Sequence, residues 1–124
     1  MACVLLVDDD DLILETLTLA LTDNGYDVVT ASDGDDALSK FKQYDVAIVV
    51  TDIIMPNKEG VETILQFRQV SPDLPIIAMT GGGRSGRLDF LSVATKLGAA
   101  ATLKKPFSPD ELIAAVHRAL NPAG

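Results

Sequence analysis

Five short runs rich in apolar and β-branched residues alternate with five amphipathic stretches, and few folds accommodate that alternation. The runs Cys3–Val7, Asp27–Ala31, Val46–Thr51, Leu74–Thr80 and Ala100–Lys104 read as strands. The third is nearly all apolar, as a strand buried on both faces of a parallel sheet must be. Between the strands, Leu12 to Asn24 carries Ile13, Leu14, Leu17, Ala20 and Leu21 at helical spacing and stops at Gly25. Ser32-Asp-Gly-Asp35 opens a second helix in a capping-box-like pattern, with Ala37, Leu38 and Phe41 as its apolar face. Val61, Ile64, Leu65 and Phe67 mark a third helix that ends before Ser71-Pro72. A fourth is expected over residues 85–97, closed by Gly98 as its C-terminal cap. In Ser108-Pro-Asp-Glu111, Ser stands at the cap, Pro at the first helical position and Glu three residues past the cap, which predicts a last helix to Leu120. The reading is an α/β fold: a parallel sheet, right-handed crossovers and helices on both faces.

Length and charge narrow the function. At 124 residues the chain suits one domain over residues 1–124, without room for a second catalytic or DNA-binding domain. With 48% hydrophobic residues and a mean hydropathy of +0.26 it should form a compact globule. A net charge of −8 argues against direct nucleic-acid binding, which needs clustered Lys and Arg. The charge is uneven: residues 1–52 hold twelve acids against Lys40 and Lys42, whereas residues 53–124 hold eight bases against six acids. The lone Cys3 has no disulfide partner within the chain and is expected as a small core residue. No apolar run approaches the roughly 20 residues of a membrane span, and no basic region precedes an apolar leader, so a cytoplasmic protein without membrane contact is expected.

The chemistry gathers at one edge. In open α/β sheets ligands bind outside the carboxyl ends of the strands. There this chain places Asp8 and Asp9 from the first strand, Asp52 from the third, Thr80 from the fourth and Lys105 from the fifth. Taken singly, Asp52 reads as a turn or helix cap, Thr80 as an ordinary strand residue and Lys105 as a solvated charge. Their coincidence at neighbouring strand ends is what points to chemistry. At about 5 Å separation and an effective dielectric near 20, each carboxylate pair repels by roughly 3 kcal/mol, so the cluster needs positive charge. Lys105 supplies part of it. A hard divalent cation such as Mg²⁺, which prefers carboxylate, carbonyl and water oxygens, would supply the rest. A metal on Asp8 and Asp9, an attacking Asp52, a charge-neutralising Lys105 and a hydrogen-bonding Thr80 are the parts that phosphoryl transfer to a carboxylate requires. Asp10 and Asp11 read instead as a helix cap and a first-turn dipole contact. His117, on the last helix, reads as a surface or packing residue.

These residues carry a family resemblance over essentially the full length. VLLVDDD at 4–10, TDIIMPNKEG at 51–60, IIAMTG at 76–81 and KPF at 105–107 make the chain similar to receiver domains of bacterial two-component response regulators, the CheY-like family. The resemblance implies a flavodoxin-like (βα)5 fold in three α/β/α layers with strand order 2-1-3-4-5. It implies phosphorylation of Asp52 by a sensor histidine kinase or histidine phosphotransfer protein. It further implies Mg²⁺ held by Asp9, Asp52 and the backbone carbonyl of Ile54, and a cis peptide before Pro106. A downstream effector protein would be bound through the face formed by residues 84–97, the strand around Thr102 and the last helix, where Arg84, Arg87, Lys96, Lys104 and Arg118 collect positive charge.

Two features depart from the family pattern. Thr102 stands where the switch usually has an aromatic residue, so a flipping ring is not available, and the loop and helix between Thr80 and Gly98 are longer and richer in glycine than in the single-domain chemotaxis members, so the loop Gly81–Gly86 is the expected moving part. Two other functions share the acid cluster. A Mg²⁺-dependent phosphohydrolase using an aspartyl phosphate would need an acid two residues after its nucleophile and a substrate-covering cap. Ile54 stands at that position, and no cap is expected. A non-phosphorylated pseudo-receiver would not need the full acidic set together with Thr80 and Lys105. The expectation is therefore a regulatory phosphoacceptor, not a turnover enzyme, limited to its own phosphorylation and slow dephosphorylation.

Overall fold

The computed structural model describes residues 2–53, 60–80 and 98–121. In chain order the elements are β1 (Cys3–Val7), α1 (Asp11–Asp23), β2 (Asp27–Ala31), α2 (Gly34–Gln43), β3 (Ile48–Asp52), α3 (Gly60–Val70), β4 (Ile76–Thr80), β5 (Ala101–Lys104) and α4 (Pro109–Leu120). The strands form one sheet in the order β2-β1-β3-β4-β5, and every neighbouring pair is parallel. This is the flavodoxin-like order. The expected helix over 85–97, the loop Gly81–Gly86 and the segment containing Ile54, Met55 and Pro56 lie outside the described residues.

Alternation along the central strands builds two cores. Leu5, Val7, Val49, Ile76 and Ala78 face α2 and α3, where Ala37, Ile64 and Phe67 complete one buried cluster. Val4, Leu6, Ile48, Val50, Ile77 and Met79 face the other way, against Leu14, Leu17 and Leu21 of α1 and Leu112, Ala115 and Val116 of α4. A period-2 strand with both faces apolar can be covered only by helices on both sides, which gives the three layers. Each large side chain buried this way contributes about 1.5–3 kcal/mol. In the first cluster the rings of Phe41 and Phe67 meet edge to face, 5.2 Å apart at 82°.

The helix ends follow from local chemistry. Asp10 caps α1 by accepting from Leu12 N–H and Ile13 N–H, and Asp11 sits in the first turn. Ser108 and Glu111 form a reciprocal capping box on α4, with Pro109 at the first helical position. α2 differs from expectation. Its cap is Asp33, not Ser32, and the Asp33 carboxylate accepts Asp36 N–H at 2.8 Å. Val46 and Ala47 precede the β3 ladder, and Asp52 is its last residue.

Two apolar positions differ from expectation, and two further leucines are exposed. Cys3 is only half-buried, because it begins β1 opposite the exposed Asp27. Leu65 is 45% exposed on α3, and Leu12 and Leu19 stand out from α1 at 70% and 66%. None of the helices among the described residues is long and apolar enough to cross a membrane.

Candidate functional site

The parallel register brings the carboxyl ends of β1, β3, β4 and β5 side by side. Val7 pairs with Thr51, Asp52 with Met79, and Thr80 with Lys104. The residues at or just beyond these ends are Asp8, Asp9, Asp52, Thr80 and Lys105, as the sequence places them. Asp8 is fully buried, and Asp52 and Thr80 are each 5% exposed, whereas Asp9 is open to solvent.

The three acids converge: carboxylate oxygens of Asp8, Asp9 and Asp52 all lie within 4.8 Å of one another. Lys105 sits against two of them, its Nζ donating to Asp8 Oδ2 at 2.7 Å and to Asp52 Oδ2 at 3.0 Å. Burial alone would lower the pKa of this ammonium. Hydrogen bonds and charge from Asp8 and Asp52 outweigh it, so the net direction is upward and Lys105 is held protonated. The backbone steadies the arrangement. Lys105 N–H donates to Thr80 C=O at 2.7 Å, and the peptide between Lys105 and Pro106 is cis.

Asp8 is fixed from two sides that the motifs did not reveal. Its N–H donates to Ala31 C=O at 3.1 Å, tying it to the end of β2, and its Oδ1 accepts Asp10 N–H at 3.0 Å. Asp10 thus serves twice, as helix cap through its side chain and as donor to Asp8 through its backbone. An Asp-rich run at a strand–helix junction permits such a turn, but nothing in the run distinguishes which acid is buried.

Among the described residues one ammonium faces three carboxylates, which leaves excess negative charge on a hard oxygen donor set. Asp8 and Asp52 are buried and preorganised, and Asp9 closes the solvent side. These donors fit a small hard divalent cation, which favours carboxylate oxygen and keeps part of its water shell. Ile54, the expected carbonyl donor, lies outside the described residues. His117 is exposed on α4, away from this edge.

A second polar junction carries no signal in the sequence. Arg68, near the end of α3, donates to Pro72 C=O at 3.2 Å, to Leu74 C=O, and to Gly98 C=O at 2.8 Å. It ties α3 to the entry of β4 and to the turn before β5. Gly98 has φ +86°, which L residues with a side chain rarely adopt.

Comparison with known proteins agrees with the geometry. Residues 4–117 match the family described as the response regulator receiver domain. The chain is 37% identical to the alkaline phosphatase synthesis transcriptional regulatory protein PhoP of Bacillus subtilis over 94% of its own length and 48% of that protein's. Among solved structures it is similar to a response regulator receiver domain protein from Clostridium thermocellum, with a TM-score of 0.89 and 31% identity over 98% of this chain and 96% of that one. It is similar also to the chemotaxis protein CheY4 of Vibrio cholerae, with a TM-score of 0.88 and 33% identity over 97% of this chain and 99% of that one. Against the curated relatives it matches, the chain spans from about a quarter to about half of their length. A buried acid pair bridged by a lysine at the carboxyl edge of a 2-1-3-4-5 sheet, in a chain matched to the family model along most of its length, belongs to the response regulator receiver domain family, the phosphoacceptor modules of two-component signalling.

Proposed function

We propose that Asp52 is the residue that takes the phosphoryl group, with Mg²⁺ held by Asp8, Asp9, Asp52 and the Ile54 carbonyl. The observation that carries this reading is the Lys105 ammonium, shared between Asp52 and Asp8 with a third carboxylate in reach. Asp52 ends the central strand with both neighbours in place, so its carboxylate is oriented before any donor arrives. In the transfer, an Asp52 oxygen attacks the phosphorus of a phosphohistidine on a sensor histidine kinase or histidine phosphotransfer protein. The P–O bond forms as the P–N bond breaks, and the departing imidazole nitrogen takes up a proton. Bound Mg²⁺ supplies charge neutralisation to the transferring oxygens. Lys105 would supply positive charge as well, moving from Asp52 toward the new phosphoryl oxygens, and Thr80 would donate its hydroxyl to the product.

Output is by protein binding. The proposed effector face comprises β5 around Thr102 and α4; the segment 84–97, expected from the sequence to complete it, lies outside the described residues. Phosphorylation biases two conformations of that face; the loop Gly81–Gly86, expected from the sequence as the moving part, lies outside the described residues. The chain acts as a regulatory phosphoacceptor with slow self-dephosphorylation, as one domain in the cytoplasm, without direct nucleic-acid contact or membrane attachment. Any further output domain, such as the relatives named as transcriptional regulators suggest, is a separate unit.

The test is intact-mass measurement after incubation with acetyl phosphate. One phosphoryl group should be added in Mg²⁺ and none after chelation. Equal labelling with and without the metal contradicts the metal-assisted reading, and no labelling in Mg²⁺ favours a pseudo-receiver.

A further inference from the structure

Among the described residues β2 ends the sheet and no strand pairs with the peptide groups on its outer side, and such edges are ordinarily covered or blunted. Residues along a strand turn their peptide groups alternately to its two sides. Ala31 turns inward, its carbonyl accepting Asp8 N–H, so the flanking Thr30 and Ser32 turn outward. A residue of a further parallel strand would donate to the first of these carbonyls and accept from the N–H two positions on. Two side chains of α2 do both. Lys40 Nζ donates to Thr30 C=O at 2.7 Å, and Asp36 Oδ2 accepts from Ser32 N–H at 3.4 Å. One helical turn apart, Asp36 and Lys40 also pair with each other at 3.5 Å. Together they imitate one residue of an absent sixth strand.

The location gives this imitation a consequence. The pair holds the peptide groups on both sides of Ala31, and the Ala31 carbonyl is the acceptor that fixes the backbone of Asp8. From Asp8 the chain of contacts continues to Lys105 and Asp52. We infer that Asp36 and Lys40 are positioning residues for Asp8, holding the end of β2 so that the Asp8 carboxylate stays in register with Asp9 and Asp52. The effect on metal affinity rests on the metal site proposed above; the effect on the Asp8 backbone does not.

Charge and position act with opposite signs here, which makes the inference testable. Lys40 is one of two bases among twelve acids in residues 1–52. Removing its charge alone makes the site more negative and strengthens Mg²⁺ binding. Loss of positioning weakens it.

The experiment compares the full chain with Lys40→Met, Lys40→Arg, Asp36→Ala and Lys42→Met, the last an exposed lysine of the same helix. In the metal-free protein, amide exchange at Asp8 should accelerate in Lys40→Met and Asp36→Ala while exchange in α4 stays unchanged, which separates a local effect from global loosening. By calorimetry, Lys40→Met should raise the Mg²⁺ dissociation constant about two- to tenfold, the low end for partners behind a metal ligand because the pair is about a third exposed. Lys40→Arg should restore most of the affinity, and Lys42→Met should leave it equal or tighter. Unchanged Asp8 exchange in Lys40→Met overturns the inference whatever the metal data show. Faster exchange with equal or tighter Mg²⁺ binding overturns it too. Should the unaltered protein bind no Mg²⁺, the metal reading fails separately and the exchange at Asp8 alone decides: acceleration supports the positioning role, and no change refutes it.

Discussion

Lys105 and Asp52 are 53 residues apart in the chain and 3.0 Å apart in the fold, ammonium against carboxylate. The same Nζ is 2.7 Å from Asp8, so one cation holds together two side chains that are 1% and 7% exposed. Removing one partner of such a group leaves uncompensated buried charge, which costs more than the pair itself contributed.

Lys105→Met should therefore lower the metal-free unfolding free energy by about 2–4 kcal/mol, somewhat below a fully buried case because Lys105 is partly exposed. The same change should strengthen Mg²⁺ binding, since the site becomes more negative, while acetyl phosphate labelling slows. Urea unfolding with and without Mg²⁺ reads the first two effects. A variant as stable as the unaltered protein without metal would mean that the carboxylates are compensated in another way.

The pH dependence carries a definite sign. The folded pKa of Lys105 lies above its ordinary value of 10.5, as a lysine gaining two carboxylate partners requires. Its contribution is fully present below the unfolded value and is lost as pH rises toward and through the folded one, where the native state binds more protons than the unfolded state. The urea midpoint should fall above about pH 10. In Lys105→Met that component of the alkaline decline should be missing. Parallel alkaline declines for the two proteins would exclude Lys105 as its source.

Mg²⁺ should stabilise the native state, because the three-acid site exists only when the strands are paired. At a hundredfold excess over its dissociation constant the gain is about 2.7 kcal/mol. Asp9→Ala removes one proposed ligand without disturbing the core, since Asp9 is exposed. Thermal unfolding should show the Mg²⁺-induced rise in Tm in the unaltered protein and a much smaller rise in the variant. An equal rise in both would take Asp9 out of the site.

The legible parts of the chain were those governed by neighbours in sequence. The β-branched runs at 3–7 and 27–31 became strands with those bounds, and Ser108 to Glu111 formed the capping box that its spacing predicts. The site could be read because a parallel sheet converts strand order into one edge. Asp8, Asp52 and Lys105 meet there for topological reasons. What depended on distant partners was not legible. Arg68 looks like any basic residue near a helix end until Pro72, Leu74 and Gly98 present their carbonyls to it. Lys40 likewise reads as a solvated helix charge until the open edge of β2 supplies Thr30 C=O. Leu65 shows the converse: an apolar residue on a short helix can satisfy the helical period and still face solvent, because only packing decides which face is buried.

Arg68 yields its own prediction. Arg68→Ala leaves three carbonyls without this donor and should cost about 1–3 kcal/mol. Gly98→Ala meets ordinary contact distances, with Arg68 Nε 3.5 Å from an added Cβ, but places a side chain at φ +86°. It should cost about 1–2 kcal/mol through backbone strain. Urea denaturation measures both, and a neutral Arg68→Ala would show that the junction is held without it.

Every role proposed for the site depends on Asp52 as the acceptor. The direct measurement is the intact mass of the unaltered protein and of Asp52→Asn after incubation with acetyl phosphate and Mg²⁺, sampled over time. One added phosphoryl group is expected on the former and none on the latter, with both proteins folded. Phosphorylation of Asp52→Asn at the unaltered rate would contradict that assignment.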